Sequence, residues 1–140
     1  MTLAQIEKVM LLRSVDIFSH CNAEEVVRIA GIASERTFDS GGQIYGIDDP
    51  ADAFYCVVEG EVELQGPDDG LRAAVSCETF GAREILSGRL RSSTATARCR
   101  TVALVVEADD FFDLLSNNIE IVKALFREFL SAPEADGGEP

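Results

Sequence analysis

The sequence predicts an α+β domain in which helices bracket a run of antiparallel strands. Three observations carry this. Apolar residues keep helical spacing at the start of the chain and again after Glu107. Between those stretches the pattern breaks into about eight short alternating segments punctuated by glycine, proline and aspartate. No strand–helix–strand alternation occurs, so nothing calls for a parallel sheet.

Thr2 followed by Gln5 forms a capping-box pattern, and Leu3, Ile6, Val9 and Met10 keep helical spacing, so a lead-in helix is expected over residues 1–13. Asn22 as N-cap, with Glu25 three residues on, opens a second helix whose apolar face is Val26, Ile29, Ala30 and Ala33. Residues 37–107 are then expected to form the strand-rich body. "SGG" and "DDP" are turn signals flanking a short strand at Gln43 to Tyr45. "AFYCVVEGEVEL" reads as two strand pieces around Gly60, with Phe54, Cys56 and Val58 alternating before Val62 and Leu64. "GPDDG", residues 66–70, reads as a hairpin turn in which Gly70 is free to take positive φ. "STATARCRT" alternates small with polar residues, and "VALVVEA" is apolar enough for a buried strand. Over residues 109–130 the helical spacing returns. Phe111, Leu114 and Leu115 share a short helix; Ile121, Leu125, Phe126 and Phe129 share a longer one capped by Asn117 or Asn118. The polar tail, residues 132–140, is expected to be disordered, which leaves residues 1–131 as a single domain.

A chain of this length can bury roughly two thirds of its unfolded surface, enough for a core without staples. No apolar run approaches the ~20 residues of a membrane-spanning helix. Glu7 and Lys8 interrupt the N-terminal apolar pattern in a way that does not suit a signal peptide, so a cytoplasmic location without membrane insertion is expected. The four cysteines lie 35, 21 and 22 residues apart with no CxxC pair, and His20 is the sole histidine, so no metal site is expected. The thiols read as reduced and structural, with Cys56 and Cys99 in strand-like segments. No nucleophile–base pair is legible, so no catalytic residue is assigned and no enzyme is expected. A net charge of -13 speaks against nucleic acid as a partner. The charge is uneven, however. Arg72, Arg83, Arg89, Arg91, Arg98 and Arg100 are opposed only by Glu78 and Glu84 between residues 72 and 100, making that window +4 and the rest of the chain -17. Arg98 and Arg100 suit the solvent face of a strand; the window as a whole also suits a local anion site.

The helix–strand–helix order with its spaced glycines resembles the cyclic-nucleotide-binding domain family over about Val15 to Leu130, in "VDIFSHCNAEEVVRIA" and "FDSGGQIYGIDDPADAFYCVVEGEVEL". Gly42, Gly60 and Gly81 stand where that pattern has glycines, each supplying a conformation or close approach that a Cβ would block. The resemblance implies an eight-stranded antiparallel β-roll, jelly-roll-like, with N-terminal and C-terminal helices. It also implies a ligand cassette of the form Phe-Gly-Glu, a short helix, then Arg and small residues. In such a cassette the helix start and the arginine hold the cyclic phosphate, and the glutamate accepts the ribose 2′-hydroxyl.

Carried over residue by residue, Phe80 and Gly81 match in "FGAREILSGRLRSSTATA". Arg91 falls on the phosphate arginine, Ser92 follows as a hydroxyl, and Leu90 replaces the usual proline. The glutamate position holds Ala82. Glu84 lies two residues on, about 200° around a helix, and so points away from the ribose. Asp48 stands where a glycine is usual, a substitution that tolerates left-handed geometry. A lost hydrogen bond to a charged group removes about 1.5–3 kcal/mol, or about 10- to 150-fold in affinity. Three readings follow for the pocket: weak or altered binding of cyclic AMP or cyclic GMP, binding of another small anion, or no ligand. Arg91 is then either a phosphate contact or an ion-pair partner of the loop bearing Asp48, Asp49 and Asp52.

Two functions of different classes fit. One is a regulatory sensor in which ligand closes the C-terminal helices, Phe111 through Phe129, and signals to an attached domain. The other is an interaction module with a vestigial pocket, docking a partner protein or forming a homodimer through its helices. "IEKVMLLRSVDIF" resembles the lead-in of such domains in larger bacterial proteins. A complete transcription regulator is not expected, since the chain stops where a helix-turn-helix would begin.

Overall fold

The computed structural model describes residues 4–67 and 70–131. Helices α1 (Gln5–Arg13) and α2 (Ala23–Gly31) open it, joined through a 3-10 turn at Asp16–Phe18. Six strands follow: β1 (Ala33–Phe38), β2 (Gln43–Tyr45), β3 (Ala53–Glu59), β4 (Val62–Gln65), β5 (Leu71–Ala74) and β6 (Thr79–Phe80). A short helix α3 (Ala82–Ser87) precedes β7 (Thr94–Ala97) and β8 (Thr101–Glu107), and α4 (Ala108–Ser116) and α5 (Ile119–Ser131) close the fold. The strands form two four-stranded sheets, ordered β1-β8-β3-β6 and β2-β7-β4-β5, with every pairing antiparallel. This is the β-roll with flanking helices.

Two cores share β3 and β8, which explains why these two strands are apolar on both faces. Phe54, Cys56, Leu104 and Val106 point toward the helices and pack with Leu12, Phe18, Ile29, Phe111 and Ile121. Their alternates Tyr55, Val57, Ala103 and Val105 point into the roll against Val62, Leu64, Phe80 and Ala95. A slip of one residue would exchange the two sets, so the pattern fixes the register. Gly60 permits the reversal between β3 and β4. Its φ is +101°, and a Cβ there would lie 2.5 Å from Thr101 Oγ1 and 2.7 Å from the Arg100 carbonyl.

The second helix starts as the sequence predicts: Asn22 Oδ1 accepts from the Glu25 amide at 2.9 Å and Glu25 Oε1 from the Asn22 amide at 2.8 Å. Several other expectations are corrected. Thr2 lies outside the described residues, and α1 begins at Gln5 with Ala4 as N-cap, whose amide donates to Glu7 Oε1 at 2.8 Å. Ala33 is not the end of α2 but the first residue of β1, where it pairs with Val106, so the strand-rich body begins four residues early. The Lys8 ammonium donates to the Ala33 carbonyl at 2.9 Å and ties α1 to that junction. Asn118 precedes α5, but its side chain serves other elements. Its amide donates to the Leu114 carbonyl at 2.7 Å, and its oxygen accepts from Arg28 Nη1 at 2.9 Å. Phe126 leaves the packed face formed by Ile121 and Leu125 and is 63% exposed. Cys99 lies exposed in the turn between β7 and β8 rather than in a strand. Gly70 keeps an ordinary φ; its carbonyl accepts from the Gly66 amide at 2.6 Å. The tail at 132–140 lies outside the described residues. No helix among the described residues is long and apolar enough to cross a membrane.

Candidate functional site

Gly81 ends β6 and begins α3 in the left-handed region, φ +89°, and Gly88 at φ +72° stops that helix after two turns. Gly81 has a second reason to lack a side chain: a Cβ would lie 2.8 Å from Arg91 Nη1. The two segments around α3 are thus drawn together by one arginine. Arg91 is bound through its backbone to the preceding acidic loop, with its amide donating to Asp49 O at 2.9 Å and its carbonyl accepting from the Asp48 amide at 2.8 Å. Asp48 takes φ +71°, the left-handed geometry expected where an aspartate replaces glycine.

The Arg91 side chain is wholly buried. Nη1 donates to the Gly81 carbonyl at 2.7 Å and Nη2 to the Ala53 carbonyl. The guanidinium lies over the Tyr45 ring, 4.0 Å from its centroid. Burial pushes the Tyr45 phenol up to about 12 against the opposing pull of Arg91, so the ring beneath the cation stays neutral. Of the three loop aspartates, only Asp52 approaches the guanidinium, at 4.0 Å, and its own side chain is 87% exposed. A pair that open to water contributes little. The closer carboxylate is Glu84, whose side chain is only 15% exposed and whose Oε1 lies 3.4 Å from Arg91 Nη1. Its other oxygen accepts from the Ser92 hydroxyl at 2.7 Å. Arg91 Nε is buried without a hydrogen-bond partner among the described residues.

A cavity of about 400 Å³ opens beside this constellation. Phe80, Gly81, Ala82 and Ser92, four of the five cassette residues expected from the sequence, line it together with Tyr45, Thr79 and Glu84. The fifth, Arg91, is wholly buried and does not line the cavity, whereas Glu84, 3.4 Å from its guanidinium, does. A second groove of about 670 Å³ runs between α3 and α5, lined by Leu86, Leu115, Val122, Leu125, Phe126 and Phe129 among others. Arg83, Glu84, Ser92 and Phe129 border both. Arg83 lies 5.6 Å from the Phe129 ring centroid, a cation–π contact that links α3 to α5. Glu128 on α5 accepts from Ser19 Oγ at 2.8 Å and lies 3.5 Å from His20 Nε2, so α5 is also held against the 3-10 turn.

The basic window divides along the same lines. Arg98 pairs with Glu61 and Glu63 at 2.6 and 3.2 Å and Arg100 with Glu59 at 3.5 Å, which makes them ion-paired strand residues. Arg72 and Arg83 line the cavity and have no carboxylate partner among the described residues. Two participants were not legible beforehand as site residues: Tyr45, the platform for the guanidinium, and Glu84, whose carboxylate joins Arg91 to Ser92. Glu84 was the one acidic residue within the cassette, and that was the available signal.

The model of the cyclic nucleotide-binding domain matches residues 35–118, three fifths of the chain. The chain belongs to the cyclic nucleotide-binding domain family. A cyclic nucleotide-gated potassium channel of Mesorhizobium japonicum is 30% identical over 118 residues, covering 84% of this chain and 32% of the channel. The cGMP-dependent 3′,5′-cGMP phosphodiesterase A of Dictyostelium discoideum is 27% identical over 122 residues, 87% of this chain but 14% of that protein. The chain therefore spans less than a third of the length of either. Among solved structures, the N-terminal domain of a transcriptional regulator from Streptomyces coelicolor superposes with a TM-score of 0.75 at 26% identity, covering 86% of this chain and 89% of that one. The Arg91 guanidinium and the Ser92 hydroxyl are both engaged by Glu84, while Ala82, 6% exposed, brings only a methyl group to the cavity wall.

Proposed function

We propose that this domain is a non-catalytic regulatory module that binds cyclic AMP or cyclic GMP weakly and transmits occupancy through α5 to an attached domain. The observation that carries this reading is Ala82 on the cavity wall, in a cavity otherwise furnished by Phe80, Gly81 and Ser92. The loss of one charge-assisted acceptor costs about 1.5–3 kcal/mol, so a micromolar site becomes one of tens to hundreds of micromolar. Coupling to the helices is supported by Phe129 and Arg83, which touch both the cavity and the α3–α5 groove. A ligand that displaces either biases α5, and that differential contact is what a switch requires.

Calorimetric titration of the wild-type domain and Ala82→Glu with both nucleotides tests the reading. The wild type is expected to bind in the tens to hundreds of micromolar, and Ala82→Glu about 10- to 150-fold more tightly. Submicromolar binding by the wild type, or no binding by either form at millimolar ligand, would sink it.

A second reading rests on the α3–α5 groove, where Leu86, Phe126 and Leu130 are 38%, 63% and 83% exposed. Apolar side chains gathered along one groove suit a protein partner or a second copy of the chain. Sedimentation of the isolated domain, with Phe126→Ser as the comparison, separates self-association from a monomeric sensor.

A further inference from the structure

We propose that the Glu84 carboxylate is an internal stand-in for the ligand's phosphate and sets which ligands the cavity admits. The inference rests on the reading that this cavity takes a phosphate-bearing ligand. A carboxylate and a phosphate present the same thing to a protein, negatively charged oxygens that accept charge-assisted hydrogen bonds. Glu84 uses both oxygens in that way. One lies 3.4 Å from the buried Arg91 guanidinium and the other accepts from the Ser92 hydroxyl at 2.7 Å. Those are the two oxyanion-binding groups of the cassette, and Glu84 satisfies both at once.

The placement is also obstructive. Glu84 lines the cavity and Arg91 does not, so an anion entering from solvent meets the carboxylate before the guanidinium. It can reach Arg91 only if Glu84 swings out, and while Glu84 stays the like charge repels it. Nothing covalent restrains that swing: Glu84 sits on a six-residue helix, and the groove between α3 and α5 borders it on the other side. Ligands are therefore sorted by whether their phosphate outcompetes a tethered carboxylate.

The test titrates the wild type, Glu84→Gln and Glu84→Ala with inorganic phosphate and with cyclic AMP, read by calorimetry and by the Ser92 amide resonance. Glutamine keeps the shape and removes the charge, and Arg91 retains its two carbonyl partners, so the variant keeps its fold; thermal unfolding verifies this. Both variants are expected to bind phosphate at least about tenfold more tightly than the wild type, with the Ser92 resonance moving. Equal affinities across the three forms would overturn the inference. So would a gain that moves Arg72 and Arg83 signals and leaves Ser92 unchanged, since that is binding by exposed cations. If Glu84→Gln gains phosphate affinity while no form, Ala82→Glu included, takes nucleotide, the inference stands and the nucleotide reading falls. If wild type and Ala82→Glu bind nucleotide and Glu84→Gln changes nothing, the reverse holds.

Discussion

Replacing Arg91 with alanine is the obvious way to ask whether it holds a ligand, and the structure predicts that the answer will be dominated by stability. The side chain is fully buried and donates to two carbonyls, Gly81 and Ala53, at the end of β6 and the start of β3. Each such charge-assisted bond is worth about 1.5–3 kcal/mol, and the stacking on Tyr45 adds about 0.5–2 kcal/mol. The carbonyls keep part of their hydrogen bonding in the sheet and in α3, and water enters the space left behind. The net loss is then about 3–5 kcal/mol, the range seen when one member of a buried charged set is removed. Against a total of about 5–15 kcal/mol, that is a large share. For a domain of this size it lowers Tm by roughly 10–20 °C. Urea unfolding followed by circular dichroism, without any nucleotide present, measures it, provided the denaturant slope is unchanged. A loss below about 1 kcal/mol would refute the claim that Arg91 is a structural tie and would place its guanidinium at the service of the ligand instead.

Three further outcomes follow from the same geometry. Gly81→Ala should cost about 1–3 kcal/mol in urea unfolding, because the new methyl meets Arg91 Nη1 at 2.8 Å in a backbone conformation of φ +89°. Asp48→Val should cost about 1–2 kcal/mol while Asp48→Gly is neutral or stabilising, since φ there is +71°; equal effects would mean the loop relaxes. With a thiol reagent at pH 8, exposed Cys99 should react readily and Cys56 only on unfolding, as burial pushes the Cys56 thiol up to about 12. The sign for stability follows from linkage. Folding raises this pKa above its ordinary 9.0, so the unfolded chain loses its proton first. The Cys56 contribution is complete below pH 9.0 and is lost as pH rises toward 12.

The parts of the fold that depend on local chemistry were legible. Asn22 and Glu25 form the box their spacing predicts, Gly60 sits at a left-handed reversal that no Cβ would survive, and Asp48 adopts the left-handed conformation that aspartate tolerates. What escaped depends on partners that only the fold brings together. Ala33 fits the helical period of α2, yet β8 recruits it because a ladder of strand bonds outweighs one more turn. Asn118 carries the right chemistry for an N-cap and spends it on Leu114 and Arg28. In the cassette, helical rotation separates Glu84 from Ala82, yet both line the same cavity. Rotation says nothing of where a long flexible carboxylate ends. Ser92 and Arg91 are eight and seven residues away, and only the loop after Gly88 returns them to Glu84.

That return gives Glu84 two opposed effects, and the opposition is itself measurable. A buried guanidinium needs a counter-charge, because desolvation of an unpaired ion is costly. Ala82 cannot supply one, and Asp52 is too solvated to count. Without ligand, Glu84 is the partly buried carboxylate that meets the need, so it stabilises the free domain. The same contact must be broken before a phosphate can take its place, so it also weakens binding. Glu84→Gln should therefore lower the unfolding free energy by about 1 kcal/mol while raising phosphate affinity. A substitution that merely loosens the cassette would lower both, and one at a solvated surface position would change neither. Opposite signs in unfolding and titration, measured on the same variant, are the signature of a residue that competes with the ligand for the groups it stabilises.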